Sequence, residues 1–214
     1  ASAAAQVSVT ATAGTTGPTT YATVKDAFDA VNLGTHQGAI TVSLTGDTTE
    51  TASAVLNASG SGSALYTTLL MVPSGGALRT VSGAVAGPLV DLNGADGVTI
   101  DGLGTGGNAL TISNTSATAG ASTIRFVNDA TGNTVTNATI LGSSTSLTSG
   151  TVLFSTGTTT GNDGNTVSLC NVGPAGVNLA TNGVVSIGTV GAENSGNAIQ
   201  ACNEVKAAMV FSME

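Results

Sequence analysis

Short runs of alternating apolar and polar residues recur along this chain, each bounded by Gly, Asn, Thr or Ser. The clearest are Gly132-Asn133-Thr134-Val135, Gly164-Asn165-Thr166-Val167 and Gly196-Asn197-Ala198-Ile199, each starting 32 residues after the one before. Alternation with period two is strand periodicity, one face turned in and the other out. Val135, Val167 and Ile199 are therefore predicted to share an inner face, and Thr136, Ser168 and Gln200 an outer one. An earlier copy, Val98-Thr99-Ile100-Asp101-Gly102-Leu103, matches Val135-Thr136-Asn137-Ala138-Thr139-Ile140 in length and pattern, which aligns Val98 with Val135. A second strand recurs upstream of each copy: Val90-Asp91-Leu92, Ile124-Arg125-Phe126, Val152-Leu153-Phe154 and Val185-Ser186-Ile187, at spacings of 34, 28 and 33 residues. The intervening stretches, such as 142–150 and 155–164, lack apolar periodicity and read as turns and loops.

A unit of about 30 residues with two or three short strands cannot bury its apolar face alone, whereas stacked copies share one core. The predicted fold is all-β, a solenoid of parallel strands, in other words a parallel β-helix. An antiparallel sandwich also has many short strands and Gly-rich turns, but its strands need not recur at a fixed period. One segment breaks the strand pattern. Across Tyr21 to Asn32, the residues Val24, Ala27, Phe28 and Val31 fall on one helical face and Gly34 ends the run. An apolar strand, Ala39 to Leu44, follows. The amphipathic helix is expected to lie over the exposed end of the first coil and protect its edge. No comparable helix is expected at the other end, where Val205 to Phe211 stops without a lid. The domain reading is an N-terminal extension or first strand over 1–20, the capping helix and first strand of the coil over 21–52, and the coils over 53–214, all one domain.

The helix containing Tyr21-x-x-Val24-x-x-Ala27, the strand Ile40-Thr41-Val42-Ser43-Leu44 and rungs such as Asp96-Gly97-Val98-Thr99-Ile100-Asp101-Gly102-Leu103 resemble the pectin lyase-like right-handed parallel β-helix superfamily. The stretches Asn93 to Leu103 and Gly161 to Ser168 are similar to repeats in large secreted bacterial surface proteins. The resemblance covers about residues 20–205. It implies a right-handed coil and says little about chemistry.

Composition narrows the function classes. The 214 residues include 30 Gly and 36 Thr, and the net charge of -8 comes from 12 acids against four bases, Lys25, Arg79, Arg125 and Lys206. That leaves little to neutralise phosphate, so no nucleic-acid partner is expected. Mean hydropathy is positive, yet Leu69-Leu70-Met71-Val72 falls far short of the roughly 20 residues of a membrane span. The small-residue start Ala1-Ser2-Ala3-Ala4-Ala5-Gln6 and the scarcity of Lys suit a secreted, extracellular chain.

The enzymes evoked by the resemblance use clustered Asp with Ca²⁺, or paired carboxylates with an Arg, on an outer face of the coil. The corresponding candidates are Asp91, Asp96, Asp101 and Arg125. Asp91 and Arg125 occupy the same outward position on neighbouring rungs, which suggests a cross-coil surface ion pair. No catalytic motif of those enzymes carries over residue by residue, so no catalytic residue is assigned. Glu193 and Glu204 have no partner in the repeat. His36, the only histidine, reads as a solvated loop residue, and no Gly-x-Ser-x-Gly elbow is present. No cofactor is assigned. Ca²⁺ is considered because Asp47, Glu50, Asp96, Asp101, Asp129 and Asp163 lie in turns rich in Gly and Asn, although no EF-hand or Gly-Gly-x-Gly-x-Asp repeat appears. Cys170 and Cys202 are 32 residues apart, so they are candidates for a disulfide between adjacent coils or for two stacked free thiols. Asn171 and Asn203 share that spacing and are candidates for a short amide ladder at a coil corner.

Together these features point to a non-catalytic structural or adhesive module of a secreted bacterial cell-surface protein, with weak contacts to glycans or another surface. A polysaccharide-active lyase or hydrolase of the same fold is the alternative. A second is ice binding by Thr arrays, for which Thr134-x-Thr136 decays through Thr166-x-Ser168 to Ala198-x-Gln200. Polysaccharide or cell-surface glycan is the expected partner, with end-to-end self-association or continuation into further repeats as a further expectation.

Overall fold

The computed structural model describes residues 5–103 and 108–204. Three sheets built of parallel rungs run along the molecule, and the chain visits them in the same order in every coil. The first holds His36–Leu44, Tyr66–Pro73, Val98–Asp101, Thr134–Thr136, Thr166–Ser168 and Ala198–Gln200. The second holds Thr48–Glu50, Arg79–Gly83, Leu110–Asn114, Ala138–Gly142, Asn171–Pro174 and Asn203–Glu204. The third holds Ala54–Asn57, Pro88–Asn93, Ser122–Val127, Val152–Phe154 and Val184–Ser186. The fold is a parallel β-solenoid of about 5 turns. Among the described residues no helix is long and apolar enough to cross a membrane.

Parallel pairing in register places like residues above one another. In the first sheet Val42, Met71, Ile100, Val135, Val167 and Ile199 form one inward column. In the third sheet Leu56, Leu92, Phe126 and Phe154 form another, with the last two rings stacked at 4.8 Å. A fully buried side chain of this size contributes about 1.5–3 kcal/mol relative to exposure. Here each draws that burial from the coils above and below, so a single coil has no core of its own.

Two register assignments from the repeat pattern need correction. Val135 pairs with Ile100, not Val98, and Thr134 with Thr99, so the true offset between these coils is two residues shorter. Parity is unchanged, and both Val98 and Ile100 face inward. In the third sheet Val152 pairs with Val184 and Leu153 with Val185, so Val185 points outward. The pair Val184-Val185 offered two equally apolar registers; the bond from Val152 N–H to the Gly183 carbonyl, at 2.9 Å, accompanies the observed one.

The helix spans Val24–Asn32, starting later than Tyr21 because Thr23 is its N-cap and accepts from Asp26 N–H at 3.0 Å. Val24, Ala27, Phe28, Ala30 and Val31 are its buried residues. Glu50, buried in the second sheet of the first coil, turns its carboxylate to the helix start and accepts from Val24 N–H at 3.0 Å and Lys25 N–H at 3.1 Å. A carboxylate there meets otherwise unpaired donors and the positive end of the helix dipole. At the helix end, the Asn32 amide bonds both the Val55 carbonyl, at 2.8 Å, and Asn57 N–H, at 3.0 Å, along the edge of Ala54–Asn57.

The pattern did not announce the N-terminal hairpin. Val7–Gly14 pairs antiparallel with both Thr19–Tyr21 and His36–Leu44, extending the first sheet by two strands. His36 begins that last strand and is buried, contrary to a solvated loop position. Its ring lies between the Thr15 carbonyl, 2.5 Å from Nδ1, and the Tyr21 hydroxyl, 2.7 Å from Nε2. The segment Val205 to Phe211 lies outside the described residues.

Candidate functional site

Chemistry-bearing side chains gather where the third sheet turns back to the first. Successive coils repeat one four-residue turn there: Ala95-Asp96-Gly97-Val98, Ala130-Thr131-Gly132-Asn133, Asn162-Asp163-Gly164-Asn165 and Asn194-Ser195-Gly196-Asn197. The glycines adopt φ of +65, +63, +61 and +63°, a region that costs L side chains energy. This explains why Gly precedes each ladder residue. The fourth position starts as Val98 and becomes Asn133, Asn165 and Asn197, pointing into the coil. Asn165 Oδ1 accepts from Asn133 N–H at 3.0 Å and from Asn133 Nδ2 at 2.9 Å, while its own N–H and Nδ2 donate to Asn197 Oδ1 at 2.8 and 3.1 Å. Three residues earlier a second ladder follows the same rule. Asn162 Oδ1 accepts from Ala130 N–H, and Asn162 N–H and Nδ2 both donate to Asn194 Oδ1. These two buried ladders were overlooked in the sequence, although the recurring Gly-Asn was the signal for one of them.

The acids considered for Ca²⁺ or catalysis are engaged in similar bonds. Asp96 accepts from Thr131 N–H and Oγ1, both at 2.7 Å, and Asp163 accepts from Ser195 N–H at 2.6 Å; each fastens the same turn position one coil on. Asp47 accepts from Thr80 N–H, and Asp101 from Leu103 N–H and the Asn137 amide. Asp129 holds a whole turn, accepting from the backbone N–H groups of Thr158, Thr159, Thr160 and Gly161 and from the Thr158 hydroxyl. Burial pushes the Asp129 carboxyl up, but the donors of Thr158, Thr159 and Gly161 outweigh it and hold it well below the usual carboxylate range. Glu193 accepts from Gly191 N–H at 2.8 Å in its own loop. The Glu204 side chain lies outside the described residues. Among the described residues no three His, Cys, Asp or Glu side chains converge in a metal-binding arrangement.

Asp91 and Arg125 meet on the outer face of the third sheet. They pair in register, and the guanidinium donates twice, Nε to Oδ1 at 2.9 Å and Nη2 to Oδ2 at 2.8 Å. The pair is less superficial than expected: the side chains are 6% and 30% exposed. The hydrogen bond to Asp91 raises the Arg125 pKa against the opposing effect of burial. Leu153 and Val185 continue this column and are buried too. The arrangement fixes a guanidinium against a carboxylate in a largely desolvated spot, with each already committed to the other.

The remaining sequence candidates lie at the far end. Cys170 is buried and Cys202 half-buried, both free thiols. Asn203 Nδ2 donates to Asn171 Oδ1 at 3.2 Å, but on the outer face of the second sheet, above Thr139, and not at a corner. The corner belongs to Asn137, Leu169 and Ala201, which share φ near +50° at 52, 54 and 49°. On the outer face of the first sheet Thr99 stands in register with Thr134 and Thr166, while Leu70 and Ala198 flank them. Compared with known proteins, the chain matches no family model, no curated protein sequence and no solved structure.

Proposed function

We propose that this chain is a non-catalytic structural and adhesive module of a secreted bacterial cell-surface protein. It is a right-handed coil of the pectin lyase-like kind, with its N-terminal helix as a lid on the first coil. One observation carries the reading: the acids that could perform chemistry are spent on cross-coil fastening. Asp47, Asp96, Asp129 and Asp163 each bind backbone donors of the next coil, and Glu50 binds the helix start. Asp129, which accepts from four backbone N–H groups, is a poor general base, because those donors stabilise its charged form. The lid role is supported by Asn32, whose amide satisfies a carbonyl and an N–H on the edge of the first coil.

Contacts to a partner would come from exposed hydroxyls and amides. Tyr66, Phe28, Phe126 and Phe154 are all buried, so stacking of sugar rings on these aromatics is not available and glycan binding would be weak. End-to-end stacking of copies, or continuation into further repeats, fits a rod that grows by adding coils. A polysaccharide-active enzyme is the second reading, and the paired Asp91 and Arg125 on an outer sheet face are what favour it. One experiment separates them. The purified chain is incubated with a panel of polysaccharides and cell-wall preparations, measuring both retention and the release of reducing or unsaturated ends. Retention without product is expected; product that disappears in Asp91→Asn would overturn the non-catalytic reading.

A further inference from the structure

We propose that Cys170 and Cys202 are a redox site, closing to a disulfide that staples the last two described coils when a small-molecule disulfide is present. The backbone is fixed on both sides of each cysteine. Ser168 pairs with Gln200 before them and Asn171 with Asn203 after them. Leu169 and Ala201 turn the same corner at φ of +54 and +49°. Leu169 N–H donates to the Gln200 carbonyl at 3.0 Å, and Asn203 N–H to the Cys170 carbonyl at 2.8 Å. The two cysteines are thus one rung apart, about 4.8 Å between backbones, inside the Cα separation that a disulfide accepts. The thiols are also translational copies of each other. Cys170 Sγ donates to the Ser168 and Val135 carbonyls at 3.2 and 3.7 Å, and Cys202 Sγ to the Gln200 and Val167 carbonyls at 3.4 and 3.5 Å. A thiol is a weak donor, so rotating both sulfurs toward each other forfeits little.

Exposure sets the order of events. Cys202 is half-buried and reachable, whereas Cys170 is enclosed. The Cys202 thiolate attacks the reagent disulfide, forming a mixed disulfide and expelling one thiolate. The Cys170 thiolate then attacks Cys202 Sγ, forming the internal bond and expelling the second. Two cysteine protons pass to the two released thiolates, and the reagent gains two electrons. Burial pushes the Cys170 thiol up to about 12, so the second step is slow near neutrality and accelerates about tenfold per pH unit.

Incubation of the full chain with oxidised glutathione at pH 8.5 to 9, followed by intact mass and amide hydrogen exchange, tests this. The expected product is two hydrogens lighter, resists alkylation after unfolding, and exchanges the amides of Thr166–Ser168 and Ala198–Gln200 about a hundredfold more slowly. Cys170→Ala is the control, since Ala138 already fills the equivalent place one coil earlier, where Thr139 pairs with Asn171; it should stop at the mixed disulfide. A wild-type chain that halts with one bound glutathione, dimerises through Cys202, or stays fully alkylatable would overturn the proposal.

Discussion

Replacing Asn165 by Ala probes the buried ladder at its middle rung. The change removes four side-chain hydrogen bonds: Oδ1 from Asn133 N–H and Nδ2, at 3.0 and 2.9 Å, and Nδ2 to the Ala130 carbonyl and Asn197 Oδ1, at 2.9 and 3.1 Å. Two of the partners are main-chain groups, Asn133 N–H and the Ala130 carbonyl, in residues that are themselves buried. Each orphaned buried polar group costs about 1–3 kcal/mol. The Asn133 amide keeps its bond to the Ala95 carbonyl, so it loses only part of its partners. The two orphaned groups together give a destabilisation of about 2–6 kcal/mol. Asn171→Ala, on the outer face one sheet away, should change stability by about 0.5 kcal/mol or less. Guanidinium denaturation followed by circular dichroism measures both variants. Hydrogen exchange locates the loss, which should centre on the coils holding Asn133 and Asn197 and spare the helix, since coils contact only their neighbours. If Asn165→Ala costs no more than Asn171→Ala, the ladder is not a stabilising element and the reasoning fails.

Glu50→Gln leaves one of Val24 N–H and Lys25 N–H facing an amide donor; we expect a loss of about 1–3 kcal/mol, with faster exchange in Ala27 to Val31 and none in the last coil. Arg125→Ala strands the nearly buried Asp91 carboxylate and should cost about 2–4 kcal/mol by thermal denaturation, whereas Asp91→Leu with Arg125→Leu should recover most of it. A double variant as unstable as the single one would mean the pair is not what holds that face. The depressed Asp129 pKa implies stability that is present above the unfolded value near pH 4 (~3.9) and lost as pH falls through the lower folded value. Amide shifts of Thr158 to Gly161 should follow that acid titration, and Asp129→Asn should flatten it.

The repeat, the inward column of Val135, Val167 and Ile199, and the helix were legible in the residues alone. Val135, Val167 and Ile199 alternate with polar residues at a constant interval, and parallel stacking is the arrangement in which strands that recur at a fixed period bury matched inward positions. The amphipathic run ending at Gly34 was equally legible, because helical and strand periods differ. Register between unequal coils was not legible. Val98 and Ile100 are both apolar and two apart, and Val184 and Val185 are adjacent and alike, so hydrophobicity could not choose between them. Hydrogen bonds made by the turns accompany the choice, such as that from Val98 N–H to Asn133 Oδ1 at 2.9 Å. The same holds for the acids and the hairpin. In the sequence Asp96, Asp129 and Asp163 look like scattered turn carboxylates available to a metal. The coiled fold brings each to backbone donors about 30 residues further on, because a side chain's partner across coils depends on loop lengths and backbone angles that residue type does not encode.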